Sequence, residues 1–232
     1  MVMATNGCIG VCIAGVSHFM FNGFDSDPAG LGRQLVEQIA NADLTHWRSL
    51  ARQLSPTQHW DDPDFKLTDE EVQHIVHWAE NRLQVEVFVD ATPDASSIRV
   101  TGPRAEEAVC TSATQFAAIL EPALRHKPNT FFDAIAGQLN VILELGLYPR
   151  LSPRFLESAR CEWIYVVNFD DNQFQIGMPI FDEQKWLANA KIGIWTASDE
   201  PASWHQCASF PLDAIPSSWE EKVKENREAS DE

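Results

Sequence analysis

The sequence predicts an α+β fold, with a mainly antiparallel sheet built from two hairpins and with helices packed on it. Two stretches, Cys8–Phe21 and Glu162–Met178, each place two runs of β-branched and aromatic residues around a short turn. This pattern is typical of β-hairpins. Between the two stretches, apolar residues recur at three- and four-residue spacings, as in amphipathic helices. Strands at both ends and helices in the middle favour one sheet that helices cover on one face.

The first hairpin is predicted to join strands Cys8–Ala14 and Ser17–Phe21 through a turn at Gly15-Val16. The loop that follows, Phe21–Gly32, holds two carboxylates, a proline and three glycines. Such a loop exposes backbone N–H groups and acidic oxygens at the start of a helix, where binding sites are often built. It is therefore the first place in the chain to look for function.

Two helices are predicted after this loop. The first begins near Gly30 and ends at about Asn41, because apolar residues recur every fourth position, at Leu31, Leu35 and Ile39. The second spans Asp43–Leu54, with Asp43 as its N-cap, and Ser55-Pro56 ends it. Residues Thr57–Lys66 lack periodicity and are predicted to form a loop.

The middle of the chain continues with a further helix and a strand. Thr68 and Glu71 have the spacing of a capping box, which predicts a helix through Asn81. Gln84–Asp90 alternates valines with polar residues, apart from Phe88, and is predicted to be a strand. Ala91–Pro103 is rich in turn residues.

Two long helices and the second hairpin complete the predicted domain. The helices are expected at Arg104–Leu124 and Thr130–Leu145, and the second carries a full apolar stripe. The hairpin strands, Glu162–Phe169 and Phe174–Met178, flank Asp170–Gln173. Phe181–Trp204 mixes short elements. We predict one domain over residues 1–219 and a charged, frayed tail over residues 220–232.

Composition and charge narrow the class of protein. The chain has 232 residues, of which 44% are apolar, enough for a substantial core. Its net charge of -17 repels phosphate backbones, so nucleic acid is not expected as a partner. No apolar run is long enough to span a bilayer. The odd count of five cysteines, placed in apolar runs, predicts reduced and mostly buried thiols and a cytoplasmic location.

No metal, cofactor or nucleophile signature is found in the sequence. His74 and His77 are three residues apart on a predicted helix, but both lie away from its apolar face, so a solvated face is the better interpretation. The chain has neither a Gly-x-Ser-x-Gly elbow nor a phosphate-binding loop with its trailing lysine. We therefore expect no metal and no cofactor.

Carboxylates and aromatic residues form the candidate site. If the two hairpins share a sheet, Asp25, Glu162 and Tyr165 line one cleft and are the predicted catalytic residues. The predicted ligand-binding residues around them are Asn22, Ser26, Asp27 and Trp163. Two carboxylates in one cleft divide acid and base roles, or hold a cation. The alternative is structural: Asp25 caps the loop or its helix, and Glu162 is a surface strand residue.

Several stretches resemble a mostly fungal family of uncharacterised proteins with short relatives in phages. Gly7–Gly10 is similar to the family's Gly-Thr-Arg-Gly start, and Phe21–Gly32 to its Tyr-Asn-His-Trp-Asp-Ser-Tyr-Pro-x-Gly-Leu-Gly loop. Glu162–Asp170 resembles a Glu-Trp-Thr-Tyr-x-Ile-Asp-Leu-Asp strand, and Phe210–Pro216 a closing Phe-x-Leu-x-x-Ile-Pro. The resemblance implies a shared fold and the location of a site, without an activity.

This chain departs from the family pattern at three positions. Gly23 replaces the histidine of the loop, Asp27 replaces the tyrosine before the proline, and Asn168 replaces the first aspartate of the later strand. If the histidine or the tyrosine acts chemically in relatives, this chain has lost that chemistry or has diverged.

Two functions are compatible with the sequence. The first is a small cytoplasmic enzyme or ligand-binding protein with an acidic, aromatic-lined pocket for a polar or cationic small molecule, using carboxylate acid–base chemistry if it is an enzyme. Its setting would be fungal specialised metabolism. The second is a non-catalytic protein whose acidic surface binds a basic protein partner. The sequence does not predict the oligomeric state.

Overall fold

The structure is a computed structural model that describes residues 5–23, 25–59, 65–81, 86–89, 98–101, 120–121, 124–125, 128–151, 161–179 and 204–229. Its strands are β1 Gly7–Ile13, β2 Val16–Asn22, β3 Ser55–His59, β4 Glu86–Val89, β5 Ile98–Thr101, β6 Leu147–Arg150, β7 Trp163–Asn168, β8 Gln173–Pro179 and β9 Trp204–Pro211. The helices are α1 Arg33–Ala40, α2 Leu44–Ala51, α3 Asp69–Asn81, α4 Pro128–Ile135, α5 Leu139–Leu145 and α6 Trp219–Glu228. A π-helical turn, Pro28–Gly32, leads into α1.

Five strands form the main sheet, in the order β2-β1-β7-β8-β9. Neighbouring strands are antiparallel except β1 and β7, which run parallel. The two predicted hairpins therefore lie side by side in one mainly antiparallel sheet, and the predicted α+β fold is confirmed. Gly7 pairs with Asn22 on one side and with Trp163 on the other. Strands β1 and β7 thus begin, and β2 ends, at one end of the sheet, which we call the Gly7 end.

The helices cover one face of this sheet. Alternate residues of a strand point to opposite faces, and the odd-numbered residues of β1 and β7 join a large core with the helices. That core includes Ile9, Val11, Tyr165 and Val167 from the sheet and Leu35, Trp47, Ile75, Phe131, Leu139 and Trp219 from the helices. A smaller apolar cluster on the opposite face contains Cys8, Leu151, Cys161, Ile164 and Val166.

The turns of the two hairpins are bonded to each other at the other end of the sheet. The first turn lies at Ala14-Gly15, one residue before the predicted position, with φ of 54° and 74°. Both values are positive, as a two-residue type I′ turn requires. The Asp170 carboxylate of the second turn accepts hydrogen bonds from the N–H groups of Ala14 and Gly15, each at 2.8 Å. These two bonds lower the pKa of Asp170.

Two predicted helix starts are confirmed. Asp43 Oδ1 accepts hydrogen bonds from the N–H groups of Thr45 at 2.9 Å and His46 at 3.1 Å, which caps α2. At the start of α3, Glu71 Oε2 accepts from Thr68 N–H at 2.7 Å, and Thr68 Oγ1 accepts from Glu71 N–H at 3.2 Å. This reciprocal pair is the predicted capping box.

Four strands, β3, β5, β6 and β9, lie where the sequence predicted none. Strand β3 occupies residues assigned to the end of a helix and to a loop, and it pairs in parallel with β6. Strand β5 lies within the predicted turn-rich segment Ala91–Pro103 and pairs with β4, itself within the predicted strand Gln84–Asp90. The partner of β3 is distant in sequence, so its local residues carry a weak strand signal. The predictions for Arg104–Leu124 and Phe181–Trp204 lie almost entirely outside the described residues.

The predicted long helix Thr130–Leu145 is in fact two helices, α4 and α5. Gly137 separates them with φ of 82°, a left-handed conformation that ends the helical hydrogen bonding. The predicted frayed tail is also wrong over most of its length, because α6 spans Trp219–Glu228. Its Trp219 and Val223 side chains are buried in the core, and this burial stabilises a helix whose other residues are mostly charged.

Four cysteines lie in the described part of the chain, and all four are free thiols. Cys8, Cys161 and Cys207 are buried and Cys12 is half-buried, so the predicted reduced and mostly buried state is confirmed for them. Among the helices that the structure describes, none has the length and apolar character needed to cross a membrane.

Candidate functional site

The loop between β2 and α1 is held by its own backbone and by one acidic cap. Asp27 Oδ1 accepts a hydrogen bond from Gly30 N–H at 2.7 Å, and Pro28 occupies the first turn. The carbonyl oxygen of Asp25 accepts from Leu31 N–H at 2.7 Å. A Cβ atom at Gly30 would overlap this carbonyl, so the loop closes only around a glycine.

Asp25 has an unusual backbone conformation for a residue with a side chain. Its φ of 43° is left-handed, and its side chain is exposed. Such a conformation is unfavourable for most residues and persists only where the surrounding contacts fix it. Here the bond from Leu31 and the bond from Ser26 N–H to the Thr5 carbonyl, at 3.2 Å, provide those contacts.

Three of the predicted site residues form one buried hydrogen-bond network. Ser26 Oγ accepts from Asn22 Nδ2 at 2.7 Å and donates to the Asn22 carbonyl at 3.1 Å. The Tyr165 hydroxyl donates to the Ser26 carbonyl at 2.8 Å. All three residues are buried. The network attaches the loop to β7, and it lies inside the protein rather than in an open cleft.

Tyr165 is enclosed by aromatic rings on the helix-covered face. Its ring stacks with those of Trp163, at 6.4 Å between centroids, and Phe174, at 6.2 Å. Burial raises the pKa of Tyr165 far above its usual value, and the charge of Asp27 raises it further. The hydroxyl is therefore a permanent donor to Ser26. Trp163 is itself covered by α6, whose Arg227 guanidinium lies 5.2 Å from its ring centroid.

The two predicted carboxylates lie at the Gly7 end of the sheet, both on the surface. Glu162 is exposed, and its N–H donates to the carbonyl of Asn6 at 2.8 Å, next to the Thr5 carbonyl that binds the Asp25 loop. Two strand spacings separate β2 from β7, roughly 10 Å. The structure thus brings Asp25 and Glu162 to the same end of the sheet, while the Tyr165 hydroxyl is buried. Their catalytic role stays a prediction.

A second candidate site, which the sequence did not predict, is an open groove between α1, the start of α2 and the turn before α5. Its volume is about 570 Å³. The lining residues are mostly polar: Gln34, Glu37, Gln38, Asn41, Ala42, Asp43, His46, Trp47, Gln138 and Asn140. We call it the polar groove.

One wall of the polar groove is fixed by the Gly137 turn. The side-chain amides of Gln34 and Gln38 donate to the Gly137 carbonyl at 3.1 and 2.8 Å. Gln38 also accepts from Asn140 N–H at 3.2 Å through Oε1. These bonds join α1 to residues about a hundred positions later, so the groove exists only in the folded chain. Its local signal is the set of polar residues at the end of α1 and the start of α2: Glu37, Gln38, Asn41, Asp43 and His46.

Three titratable groups in the polar groove are open for binding. Within the described ranges, the Glu37 carboxylate and the His46 ring have no hydrogen-bond partner. Asp43 Oδ2 also has none, because both hydrogen bonds that cap α2 go to Asp43 Oδ1. Trp47 is buried beneath them. Carboxylates accept hydrogen bonds from ammonium groups, and imidazole both donates and accepts. The groove therefore has the chemistry to bind a polar cation.

No group of three or more His, Cys, Asp or Glu side chains within the described ranges is arranged to hold a metal ion. His74 and His77 are exposed on α3, opposite its buried Val72, Ile75, Val76 and Ala79, as predicted. His74 Nε2 lies 2.7 Å from the Leu145 carbonyl, which indicates a structural role.

Comparison with known proteins yields no match. No protein-family model matches the chain, and no curated protein or solved structure matches it either. The resemblance to a fungal family therefore stays a prediction.

Proposed function

We propose that the protein binds a small amine that also carries hydroxyl groups, and that it does so in the polar groove. The observation that carries this proposal is the set of open acceptors, Glu37 and Asp43, in one groove with the His46 ring. A carboxylate without a protein partner favours an ammonium group, because a hydrogen bond between ions is stronger than one between neutral groups. The net charge of -17 attracts a cation to the surface in addition.

The amide side chains supply the second part of the recognition. Five amides line the groove, at Gln34, Gln38, Asn41, Gln138 and Asn140. Gln34, Gln38 and Asn41 each donate one N–H to a backbone carbonyl, and each NH2 group keeps a second N–H for a ligand. Amide groups bind hydroxyl groups in both directions, since they have a carbonyl acceptor and an NH2 donor. A single exposed ion pair contributes about 1 kcal/mol or less, so the hydroxyl contacts are needed for useful affinity. We expect a Kd of about 1 mM for a simple hydroxylated amine.

Carboxylate and imidazole groups in one groove are also suited to general acid–base catalysis. An enzymatic reaction on the bound amine is therefore the extended form of this proposal. The proposal also includes a cytoplasmic location and a role in fungal specialised metabolism, and both of these parts rest on the sequence alone. Asp25, Glu162 and Tyr165 do not line this groove.

Isothermal titration with glucosamine and with glucose tests the proposal, since the two sugars differ in one ammonium group. We expect heat of binding for glucosamine and much weaker binding for glucose. Glu37→Gln should reduce the affinity for glucosamine several-fold, because it removes the charge and keeps the shape. Glu70→Gln is the matched control, since Glu70 is also an exposed helical glutamate and lies on α3 outside the groove. Equal binding of both sugars, or an unchanged affinity in Glu37→Gln, would contradict the proposal.

A basic protein partner is the alternative, and the net charge of -17 favours it. Polylysine is a suitable probe for this function. Binding of polylysine that Glu37→Gln leaves unchanged, together with no binding of glucosamine, would support the alternative.

A further inference from the structure

Cys8 and Cys161 form a pair of thiols on the sheet face opposite the helices. Cys8 lies in β1, and Cys161 comes two residues before β7. Their sulfur atoms are 3.3 Å apart and both side chains are buried, with 0% and 3% of their surface exposed. Ile164 and Val166 pack beside them. The parallel pairing of β1 with β7 keeps the two cysteines together across 153 positions of sequence.

The two sulfur atoms are in direct non-bonded contact. A disulfide has a sulfur–sulfur distance of about 2.05 Å, so the two atoms need to approach by little more than about 1 Å. Rotation of the two side chains about their Cα–Cβ bonds changes this distance. The two cysteines are therefore placed to react with each other before either reacts elsewhere.

We propose that Cys8 and Cys161 are an oxidisable dithiol site, which a hydroperoxide such as hydrogen peroxide converts into a disulfide. In the first step the Cys161 sulfur attacks one peroxide oxygen, the O–O bond breaks, and the leaving hydroxide takes the thiol proton to form water. Cys161 is then a sulfenic acid. In the second step the Cys8 sulfur attacks the Cys161 sulfur, and the S–O bond breaks. The hydroxide leaves with the Cys8 proton as a second water molecule. Two electrons pass from the dithiol to the peroxide.

The order of the two steps follows from the surroundings of each thiol. Cys161 lies outside β7, beside the exposed Glu162, and keeps 3% of its surface exposed against 0% for Cys8, so we expect a small oxidant to reach it first. Cys8 is enclosed within β1, and its burial raises the pKa of its thiol. It therefore acts second, when a sulfenic acid is already in contact with it.

Cys12 is the natural control because it lies on the same strand and face as Cys8. Its sulfur is 3.7 Å from the Asp170 carboxylate, to which the thiol donates, so its neighbour is an oxygen. Cys12 is also more exposed than Cys8. Exposure alone would make Cys12 the first thiol to be oxidised, whereas the proposed pairing makes it a bystander.

Peptide mapping identifies which cysteines become linked. In a Cys12→Ser protein, cleavage after Lys and Arg leaves each cysteine in its own peptide, at residues 1–33, 105–125, 161–185 and 192–222. The folded protein is treated with hydrogen peroxide, blocked with N-ethylmaleimide and digested without reductant. We expect a cross-linked product that joins peptide 1–33 to peptide 161–185, with a mass about two units below the sum of the two reduced peptides. Dithiothreitol should separate this product into the two peptides.

The unmodified protein provides a test that depends on no substitution. The unmodified chain has five cysteines. The number of free thiols per chain, titrated in denaturant, should fall by two after treatment with peroxide and rise again by two after treatment with dithiothreitol. The oxidised protein should also unfold at a higher temperature, because the new bond closes a long loop in the unfolded chain. Recovery of 1–33 and 161–185 as separate alkylated peptides, or a cross-link to 105–125 or 192–222, would overturn the proposal.

Discussion

At the scale of single residues, close packing explains Gly30 and Gly32 in the loop between β2 and α1, and Gly7 in β1. Gly30 leaves room for the Asp25 carbonyl, and a Cβ at Gly7 would lie 2.7 Å from Ser26 Cβ. A Cβ at Gly32 would lie 2.8 Å from the Trp219 ring. Each glycine therefore permits one close contact of the loop, with itself, with β1 or with α6. This loop is fixed in place, and the exposed Asp25 side chain is held at a defined position on the surface.

The substitution Gly30→Ala tests this explanation. The new methyl group would overlap a backbone carbonyl that cannot move without losing the bond to Leu31. We expect a loss of about 2 to 3 kcal/mol in the free energy of unfolding, measured in urea. Gly23→Ala is the control, since its nearest atom is the end of the Phe21 ring, at 3.1 Å, which can rotate away. An equal effect of both substitutions would rule out the carbonyl contact as the cause.

At the scale of elements, a buried His–Tyr pair joins the edge strand β2 to the small β3–β6 sheet. His18 Nδ1 lies 2.8 Å from the Tyr148 hydroxyl, and the two rings meet edge to face at 5.4 Å. Both side chains are buried. Thr57 Oγ1 donates to the Tyr148 carbonyl at 3.3 Å, so β3 is attached to the same residue. The position of β3 is thus determined through β6.

The burial of His18 makes stability depend on pH. Burial lowers the pKa of His18, so the folded protein binds a proton less readily than the unfolded chain. Its contribution is fully present above about pH 6.5, the pKa of an unfolded histidine, and is lost as the pH falls through the folded pKa. The urea midpoint should fall between about pH 7.5 and about pH 5.5. The urea midpoint of the His18→Asn protein should fall less over the same range, because asparagine does not titrate. An equal fall of the midpoint in both proteins would contradict this explanation.

At the scale of the whole molecule, α6 closes the core although its sequence is mostly charged. Trp219 is buried against Gly32, and Arg227 lies over Trp163. Arg33 of α1 bonds Glu220 through two N–H groups, at 3.0 and 3.1 Å. The Arg33 side chain is 55% exposed, so this ion pair is screened by solvent and contributes little. Burial of Trp219 should therefore hold α6 in place.

Two substitutions compare these contributions directly. Trp219→Ala should lower the free energy of unfolding by about 3 to 5 kcal/mol, since it removes a large buried ring. Arg33→Gln should lower it by less than about 1 kcal/mol. Chemical denaturation and the loss of protection of α6 in hydrogen exchange provide the measurements. A larger effect of Arg33→Gln would show that the ion pair positions the helix.

Features whose signals lie within a few residues were predicted correctly from the sequence. The Asp43 cap, the Thr68–Glu71 capping box and the turn at Asp170 each depend on bonds between near neighbours, so their residue types predict them. The alternation of the two hairpins also predicted the sheet and its helix-covered face, because one-sided burial leaves a period of two in the sequence. Asp25, Glu162 and Tyr165 were predicted to line one cleft; the structure places both carboxylates on the surface at the Gly7 end of the sheet and buries the tyrosine.

Tertiary structure alone decided the features whose partners are distant in sequence. The break at Gly137 is fixed by Gln34 and Gln38, β3 needs β6, and α6 needs the core that buries Trp219. Each of these partners is distant in the chain, and burial outweighs the local preference of the segment. The polar groove and the Cys8–Cys161 pair arise in the same way. Their residues come into contact only when the helices and strands pack together. No pattern of neighbouring residues in the sequence predicts which distant residue each of them will contact.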